Sequence, residues 1–462
     1  MNPIGDSRPQ EAAREMVRTL RAAGFDAYWA GGCVRDRLMG RPAKDIDIAT
    51  SARPEQVQAL FPKTLEIGKA FGVIQVLRDG FAFEVATFRH DRPYRDGRHP
   101  DGVAFTSAEE DAKRRDFTVN GLFFDPIEDR VLDFVGGQDD LQRRLIRAIG
   151  DPEARFREDH LRLLRAARFA SALEFDIEPA TAEAVRRLAP LLADVSAERV
   201  QQELTRLLVE SPRAGRGLAL LRDLGLLAVV LPEAERLVGQ EQPPAFHPEG
   251  DVFTHTVLML DAMKDATPEL AWSVLLHDIG KPLTATPTIE PDGSTRIRFN
   301  EHDSVGADLA EQILRRLKMP NDLVDAVRQG VANHMRFINV PRMRRSKLRQ
   351  MAGAPTFPME LELHRLDCLA SHSDLSNYEF MRRFMEELKN EPVLPPPWIR
   401  GDDILALGIP QGPRVGYWHK KAYEAQLESR FPDREALLNW IREEIREQPG
   451  GGVPAGPTPG QS

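Results

Sequence analysis

Cysteine is scarce in this sequence: Cys33 and Cys368 are the only two among 462 residues. Two cysteines in so long a chain do not build a disulfide framework, so we expect a reducing, cytoplasmic environment. The sequence also lacks any run of about 18 uninterrupted apolar residues, which predicts neither a transmembrane helix nor a membrane partner. Residues 1–16 contain no apolar stretch, so no secretory signal is predicted.

An excess of basic charge is missing as well. The 62 lysine and arginine residues are outnumbered by 71 aspartate and glutamate residues, which gives a net charge of −9. Binding of nucleic acid depends on Lys and Arg, but their clustering matters more than their total. Residues 342–349 carry five positive charges and no acid. That pattern is typical of a solvated helix face and equally of an RNA contact.

Two carboxylates close together mark the N-terminal part of the chain. Asp45 and Asp47 lie in the alternating run Asp-Ile-Asp-Ile. Side chains of a strand repeat every two residues, so both carboxylates point to one face. Because neighbouring carboxylates repel each other unless a cation lies between them, the pair predicts a divalent-metal site.

A glycine pair precedes the two aspartates. Gly31 and Gly32 follow an apolar run, and Arg35 and Asp36 come about one helical turn later. A strand-to-helix turn of this kind lets backbone N–H groups and a guanidinium approach a phosphate chain. Alone, an Asp-x-Asp is usually a solvated strand and a Gly-Gly usually a turn. Together within residues 31–47, they favour a metal-bound nucleoside triphosphate.

Two alternating segments, 73–77 and 81–88, are joined by an Asp-Gly turn signal and predict an antiparallel hairpin. The first 90 residues therefore read as a small mixed α/β unit. Glu84, in the second of these strands, is either a third catalytic carboxylate or an ordinary surface residue.

The next segments are a polar loop and a basic motif. Residues 90–104 are rich in Gly, Pro and Arg, which predicts a mobile loop. After it, Arg115 and Asp116, followed by Asn120, offer contacts to phosphate and ribose. Residues 131–141 have two glycines before a long helical region and predict a hinge.

From residue 138 to about 230 the pattern is helical. Asp159 and Arg162 are three positions apart, which places them on one helix face. A carboxylate that accepts from an exocyclic amine, beside a guanidinium that donates to the ring, imitates a Watson–Crick partner. An ordinary ion pair is the alternative. Arg165 and Arg168 lie on the next turns of the same helix.

Prolines at residue 244 indicate a new domain that contains a series of histidines and aspartates. One adjacent His-Asp pair is expected to lie within an apolar helix, and burying such a pair without a ligand is costly. Imidazole and carboxylate groups on successive helices suit one or two transition-metal ions. The candidate ligands are His255, His277, Asp278, His302, His334 and Asp367.

Taken in order, these motifs resemble those of the class II tRNA nucleotidyltransferases, the bacterial-type enzymes that complete the CCA end of tRNA. The glycine pair with Asp45 and Asp47 is similar to the catalytic motif, and residues 114–120 are similar to the ribose-recognising motif. Asp159 and Arg162 resemble the base-reading motif, in which the protein itself is the template. The histidine series resembles the HD phosphohydrolase domain that some members carry.

The resemblance implies an α+β fold. A small polymerase-beta-like nucleotidyltransferase head with an antiparallel or mixed sheet is followed by an all-helical neck, an HD domain and C-terminal helices. We expect the head over 1–137, the neck over 138–243, the HD domain over 244–390, a C-terminal helical segment over 391–448 and a disordered tail over 449–462.

The resemblance also implies a function, the template-independent addition of CCA to tRNA from CTP and ATP, with no obligate protein partner. An enzyme that adds only A and a bacterial poly(A) polymerase are the alternatives. Poly(A) polymerases typically carry a basic pair followed by aromatic residues where this chain has residues 67–73, and residues 94–100 resemble the loop that full CCA enzymes need. An HD phosphohydrolase acting on RNA ends or nucleotides is the rival from another class. The clustered aspartates argue against a purely RNA-binding protein.

Roles follow from the same resemblance. Asp45 and Asp47, with Glu84 as a third candidate, hold Mg²⁺ and catalyse transfer. The nucleotide-binding residues are Gly31, Gly32, Arg35, Asp36, Arg115, Asp116, Asn120, Asp159, Arg162, Arg165 and Arg168. In the HD domain, a divalent transition metal is held by His255, His277, Asp278 and Asp367, and a second metal or a phosphate by His302 and His334.

Overall fold

The structure, a computed structural model, describes residues 7–43, 45–91, 103–244 and 247–447. Two of the expectations fall outside the described residues: the flexible loop at 94–100 and the disordered tail at 449–462. Among the described residues, no helix is both long and apolar enough to cross a membrane.

The N-terminal part is built on β-strands. They are β1 (Ala27–Ala30), β2 (Asp47–Thr50), β3 (Thr64–Gly68), β4 (Val73–Arg78), β5 (Phe81–Thr87), β6 (Arg89–Asp91), β7 (Val103–Phe105), β8 (Leu122–Asp125) and β9 (Arg130–Asp133). Seven of these form one sheet in the order β3-β4-β5-β2-β1-β8-β9, and β6 pairs with β7 separately. Strand β2 runs parallel to β5, whereas the other neighbours in the sheet are antiparallel. The sheet is therefore mixed.

Helices complete the head. They are α1 (Arg8–Ala22), α2 (Gly32–Leu38), α3 (Pro54–Leu60), α4 (Ala108–Lys113) and α5 (Gly137–Arg143), with short 3₁₀ turns at Lys69–Phe71 and Thr118–Asn120. The apolar stripe of α1 buries Met16, Val17 and Leu20 in one core with Trp29 and Ile48 of the sheet. This packing fixes β1 and β2, the strands that lead into the glycine turn and carry Asp47.

The expected hinge at 131–141 is wrong in its first part. Residues 130–133 form the edge strand β9, which pairs with β8 over four residue pairs. The alternation of the segment is that of a strand, and the two glycines mark only its exit. Gly137 then packs so closely that an added Cβ would lie 2.2 Å from the carbonyl oxygen of Thr118.

A helical region follows the head. Its helices are α6 (Pro152–Glu158), α7 (Leu161–Leu173), α8 (Pro179–Leu188), α9 (Ala197–Glu210), α10 (Ala214–Asp223), α11 (Leu227–Val230) and α12 (Pro232–Glu235), with a 3₁₀ segment at Ala189–Asp194. The helical pattern is interrupted once, by β10 (Leu145–Ile146) and β11 (Asp176–Ile177), which pair in parallel.

The remaining helices are α13 (Val252–Ala262), α14 (Pro268–Leu276), α15 (Lys281–Thr284), α16 (His302–Arg316), α17 (Asn321–Asn333), α18 (Arg345–Ala352), α19 (Phe357–Ala370), α20 (Ser376–Glu387), α21 (Gly401–Ala406), α22 (Pro413–Leu427) and α23 (Arg434–Glu447), with a 3₁₀ segment at His334–Arg342. A two-stranded hairpin, β12 (Ala285–Ile289) with β13 (Thr295–Phe299), lies between α15 and α16.

One apolar core runs continuously from Phe117 to Ala370. Within it, α10 crosses α13 so closely that a Cβ on Gly215 would lie 2.0 Å from the carbonyl oxygen of Val257. Trp272 of α14 donates a hydrogen bond to Thr205 of α9 at 3.0 Å. The helices before and after residue 244 therefore share their interior, and the domain boundaries given above stay a prediction.

Candidate active site

A cleft of about 950 Å³ opens between the sheet of the head and helices α7 and α9. Every head and neck site residue predicted from the sequence lines it except Glu84. Arginines dominate its wall: Arg35, Arg41, Arg89, Arg114, Arg115, Arg162, Arg165, Arg168, Arg199 and Arg206. So many guanidiniums around one cavity suit a polyanionic ligand such as a triphosphate or an RNA end.

The two candidate catalytic aspartates lie at the sheet edge of this cleft. Asp47 begins β2, and Asp45 precedes the strand by two residues rather than lying within it. Among the described residues, neither carboxylate has a hydrogen-bond or ion-pair partner. Burial, with the charges of Glu84 and Asp45 adding to it and that of Arg115 opposing it, raises the pKa of Asp47 to about 6. A bound divalent cation relieves this kind of repulsion, so the pair fits Mg²⁺.

Glu84 lies one strand away. It is on β5, in the register position next to Val85, which pairs with Ile48 of β2. Its charge acts on Asp47, yet its side chain does not line the cleft among the described residues. The structure therefore puts Glu84 beside the aspartates rather than between them and a ligand.

The glycine turn is shaped by Gly31. Its φ of +75° belongs to the left-handed region, and an added Cβ would lie 2.8 Å from Nη1 of Arg115. The positive φ favours glycine at this position, and any side chain here would also displace the Arg115 guanidinium. Arg115 is held in turn by the buried carboxylate of Asp111 and by the carbonyl of Asn120. Sequence analysis assigned Asp111 no role, although an acid three and four residues before two arginines is a helical pairing signal.

A chain of hydrogen bonds joins the head to the helical region. Arg35 donates to Asn120 at 2.7 Å, Asn120 donates to Asp116 at 3.1 Å, and Asp116 accepts from Arg165 of α7 at 2.8 Å. Burial alone would raise the pKa of Asp116, but Arg165 and Asn120 lower it to about 2. Asp116 is therefore an ionised anchor at the junction.

The series of hydrogen bonds continues into α9 through Glu203. This buried carboxylate accepts from Arg168 at 2.6 Å and lies 3.6 Å from Arg165. The rings and guanidiniums stack as well, because Arg35, Arg165 and Arg168 all lie within 5.5 Å of the centre of the Phe169 ring. Three predicted site residues, Arg35, Arg165 and Arg168, thus depend on Glu203 and Phe169, neither of which is among the predicted site residues.

The expectation that Asp159 and Arg162 share a helix face is wrong. Asp159 has extended backbone angles and precedes α7, and its carboxylate accepts from Arg199 of α9 at 2.8 and 3.0 Å. Arg162 instead donates to Glu158 at 2.6 Å and to the carbonyl of Arg114 at 3.1 Å. Asp159 ends α6 and precedes His160, the N-cap of α7, so its three-residue spacing from Arg162 does not place the two side chains on one helix face. Both side chains still line the cleft.

Helix α9 supplies further polar residues that were not among the predicted site residues. Arg199, Glu203, Arg206 and Glu210 recur every three or four positions, so they lie on one face. The opposite face is apolar and buried. Basic and acidic residues alternate along one face of this amphipathic helix, and that alternation is the signal in the sequence that identifies the face.

The second predicted site is a cluster of buried histidines. Two sets of ligand atoms converge there: His255, His277 and Asp367 form one, and Asp278, His302 and His334 the other. The expected grouping, with Asp278 among the first set, is only partly right. Asp278 lies between the sets, 3.0 Å from His277 and 3.5 Å from His302. The His277–Asp278 pair follows the last residue of α14 instead of lying inside the helix.

Hydrogen bonding fixes which nitrogen of these rings faces the cluster. The Nδ1 atoms of His277, His302 and His334 contact backbone carbonyls at 2.6–2.8 Å. A carbonyl only accepts, so each Nδ1 carries a proton and each neutral ring turns a lone pair on Nε2 inward. Two such atoms, of His302 and His334, face each other at 3.2 Å.

This donor set fits a metal. The Nε2 atoms of His255 and His277 are buried and make no hydrogen bond to the described residues. Facing lone pairs repel each other unless a cation lies between them. A histidine that binds a metal through one ring nitrogen usually donates a hydrogen bond from the other, as these rings do from Nδ1. Burial lowers the pKa of His334 to about 4, which keeps that ring neutral as a ligand must be. A pocket of about 530 Å³, with Lys281 and Arg298 in its wall, opens onto the cluster.

Three families match successive parts of the chain. Residues 27–147 match the Poly A polymerase head domain, residues 174–237 the probable RNA and SrmB-binding site of polymerase A, and residues 252–370 the HD domain. The fold and the two sites thus define the class: a poly(A) polymerase-type head joined to a polymerase RNA-binding region and an HD domain.

The crystal structure of the Bacillus stearothermophilus CCA-adding enzyme in complex with CTP is similar to this chain over nearly its whole length. It has a TM-score of 0.75 and 31% identity, and the match covers 96% of this chain and 99% of that one. The chain belongs to the family of CCA-adding enzymes.

Curated relatives match over a shorter range. A CCA-adding enzyme of Geobacillus stearothermophilus is 48% identical over 221 residues, which are 48% of this chain and 54% of that protein. One of Lactiplantibacillus plantarum is 41% identical over 251 residues, 61% of its length. The chain thus aligns with little more than half the length of these relatives. The Thermotoga maritima CCA-adding enzyme complexed with tRNA, at 18% identity and a TM-score of 0.58, shares the fold.

Glu203 is expected to be essential for stability. Glu203→Leu leaves the guanidiniums of Arg165 and Arg168 without this carboxylate in a buried site, which should lower the free energy of unfolding by about 3–5 kcal/mol. Urea denaturation followed by circular dichroism measures the change. Gln202→Leu, at the exposed neighbouring position of the same helix, is the control and should change it by less than about 0.5 kcal/mol. Equal effects of the two substitutions would contradict the anchoring role.

Proposed function

We propose that this enzyme adds C, C and A to the 3′ end of tRNA, using CTP and ATP and no nucleic acid template. The observation that carries the proposal is the single cleft that contains the carboxylate pair, the glycine turn and the base-reading candidates Asp159 and Arg162. Addition of A alone and synthesis of poly(A) are the alternatives. Because the substrate is tRNA, we assign the enzyme to the cytoplasm, and no obligate protein partner is proposed.

Asp45 and Asp47 would hold Mg²⁺, which supplies charge neutralisation for the triphosphate and favours ionisation of the attacking 3′-hydroxyl. The hydroxyl attacks the α-phosphorus, and pyrophosphate leaves. Negative charge spreads over the phosphoryl oxygens in the transition state, so the arginines fixed around the cleft stabilise it without reorganising. Arg115, held by Asp111 against the glycine turn, is the best placed for this role.

Asp159 and Arg162 would read the base. The carboxylate of Asp159 accepts from the exocyclic amine, and Arg162 donates to the adjacent ring acceptor. Cytosine and adenine both present this arrangement, whereas uracil and guanine do not. Arg199 of α9 holds Asp159 in place through two hydrogen bonds. The carboxylate that would read the base is therefore positioned by α9.

The order of addition tests the proposal. Transcripts of tRNA lacking A, CA or CCA are incubated with CTP, with ATP, or with both, and the products are sized. CTP alone should extend only the two transcripts that lack C, and both nucleotides should complete every transcript. Asp47→Asn should abolish all extension. Failure to use CTP would identify an A-adding enzyme, and long A tracts a poly(A) polymerase.

Asp159→Ala should relax nucleotide choice more than it slows transfer of a fixed nucleotide. Loss of one good hydrogen-bonding pair to a base edge costs about 1–3 kcal/mol of discrimination, or roughly 5- to 150-fold. Single-turnover rates with CTP and UTP measure this ratio. Asp223→Ala, which removes an exposed acid of the helical region, should leave the ratio unchanged. A CTP/UTP ratio in Asp159→Ala equal to that of the unmodified enzyme would refute base reading by this residue.

We propose a second activity for the histidine cluster, the hydrolysis of phosphate esters on RNA ends or nucleotides. It is favoured by the inward Nε2 lone pairs of His277, His302 and His334 beside Asp278, a donor set that suits a divalent transition metal. Such a metal would supply an activated water. Lys281, which lies 2.7 Å from Asp278, and Arg298 in the pocket wall would bind the phosphate.

The two activities should separate by mutation. With Mn²⁺ present, the enzyme should hydrolyse a generic phosphomonoester, and His277→Ala should abolish this while leaving CCA addition intact. Asp47→Asn should have the opposite effect. Release of inorganic phosphate and extension of tRNA are measured on the same preparations. Phosphate release that survives His277→Ala would show that the cluster does not catalyse it.

A further inference from the structure

Glu249 lies just before α13 and is the point where two histidines meet. Its side chain is 7% exposed, and one oxygen, Oε1, contacts Nδ1 of His247 at 2.9 Å and Nδ1 of His255 at 2.7 Å. The other oxygen, Oε2, is buried without a hydrogen-bond partner among the described residues. Sequence analysis gave neither Glu249 nor His247 a role.

The shared oxygen determines where both rings carry their protons. A carboxylate oxygen only accepts, so Nδ1 of His247 and Nδ1 of His255 must both donate to it. In the neutral rings the lone pair is then on Nε2. For His255 that atom is buried in the cluster, 3.2 Å from Asp367. The ring of His247 lies in the wall of the 530 Å³ pocket.

His255 differs in this respect from the rest of the cluster. His277, His302 and His334 donate from Nδ1 to backbone carbonyls, which no substitution removes. His255 alone among these four depends on a side chain for its orientation. An outer carboxylate of this type fixes the ring and increases its basicity as a ligand.

We propose that Glu249 is a positioning residue that orients two histidines for different tasks. It holds His255 so that the Nε2 lone pair points to the metal. It holds His247 so that its Nε2 lone pair, at the wall of the pocket, accepts a hydrogen bond from the P–OH group of a phosphate-bearing substrate. The proposal rests on the metal centre proposed above. It adds a residue that connects metal binding to substrate binding through one oxygen atom.

By distance alone, a metal ion would also fit between His247, Glu249 and His255, because one ligand atom of each lies within 4.8 Å of the others. An ion there would require Nδ1 of His255 to lose its proton and to turn its lone pair away from the cluster. The hydrogen bonds to Oε1 favour the protonated Nδ1. A metal between these residues is therefore an outcome that the test distinguishes.

The tautomers are measured directly by ¹⁵N–¹H correlation spectra of the histidine-labelled, full-length protein after metal removal by a chelator. His247 and His255, assigned by single substitutions, should both be protonated at Nδ1. Glu249→Leu should remove this preference, Glu249→Gln should retain it because an acceptor oxygen remains, and the exposed control Glu241→Leu should change nothing. A ring of the unmodified protein that carries its proton on Nε2 and none on Nδ1, at either histidine, overturns the proposal.

Metal affinity gives a second, independent readout. Competition with a chromophoric chelator should show Mn²⁺ binding about 10- to 100-fold weaker in Glu249→Leu, partly restored in Glu249→Gln and unchanged in Glu241→Leu. His247→Gln should leave Mn²⁺ affinity within about twofold but weaken inhibition by inorganic phosphate. If the unmodified protein does not bind Mn²⁺, the proposed metal centre fails; if it binds and Glu249→Leu binds equally well, only the role of Glu249 fails. If Glu249→Leu does not fold, the Mn²⁺ affinity of Glu249→Gln and the histidine tautomers of the unmodified protein still test the proposal.

Discussion

The ion pair between Asp116 and Arg165 is the contact on which the rest of the nucleotide cleft depends. It joins the sheet of the head to α7, and through Asn120 and Glu203 it extends from Arg35 to α9. Buried charges of this kind are stable only as a complete set, because removal of one member leaves its partner unpaired in a poorly solvated place. Contacts within the protein therefore hold Arg35, Arg165 and Arg168 at the cleft. Positive charge positioned in this way suits a polyanionic ligand.

Local pattern predicted one part of the head well. The hairpin of β4 and β5 follows from alternation and from an Asp-Gly turn, which act over a few residues. Strand β8 was missed because it pairs with β1 from almost a hundred residues away, and β9 was missed with it because β9 pairs only with β8. A pattern over a few neighbouring residues does not reveal a strand partner that lies so far away in the sequence.

The candidate sites divide in the same way. Residues that belong to compact motifs, such as Asp45, Asp47 and the His277–Asp278 pair, are visible in sequence because their chemistry is concentrated in a few adjacent positions. Glu203, Arg199 and Glu249 act through contacts to distant residues, and the partners in those contacts are not visible in the local sequence. The geometry of Asp159 was also beyond a spacing rule, since a single extended residue moved it from a helix face to the helix start.

The neck helices and the helices that carry the histidine cluster share one apolar core, so neither set can be lost without disturbing the other. Helix α14, which leads to His277, packs on α9 through Trp272 and Thr205, and α9 supplies the wall of the nucleotide cleft. A lineage without the hydrolytic activity proposed for the histidine cluster would be free to replace these histidines, but it could not delete the helices that carry them. Relatives without the metal ligands are thus expected to retain these helices as scaffold, and loss of the activity would leave almost no trace in the backbone.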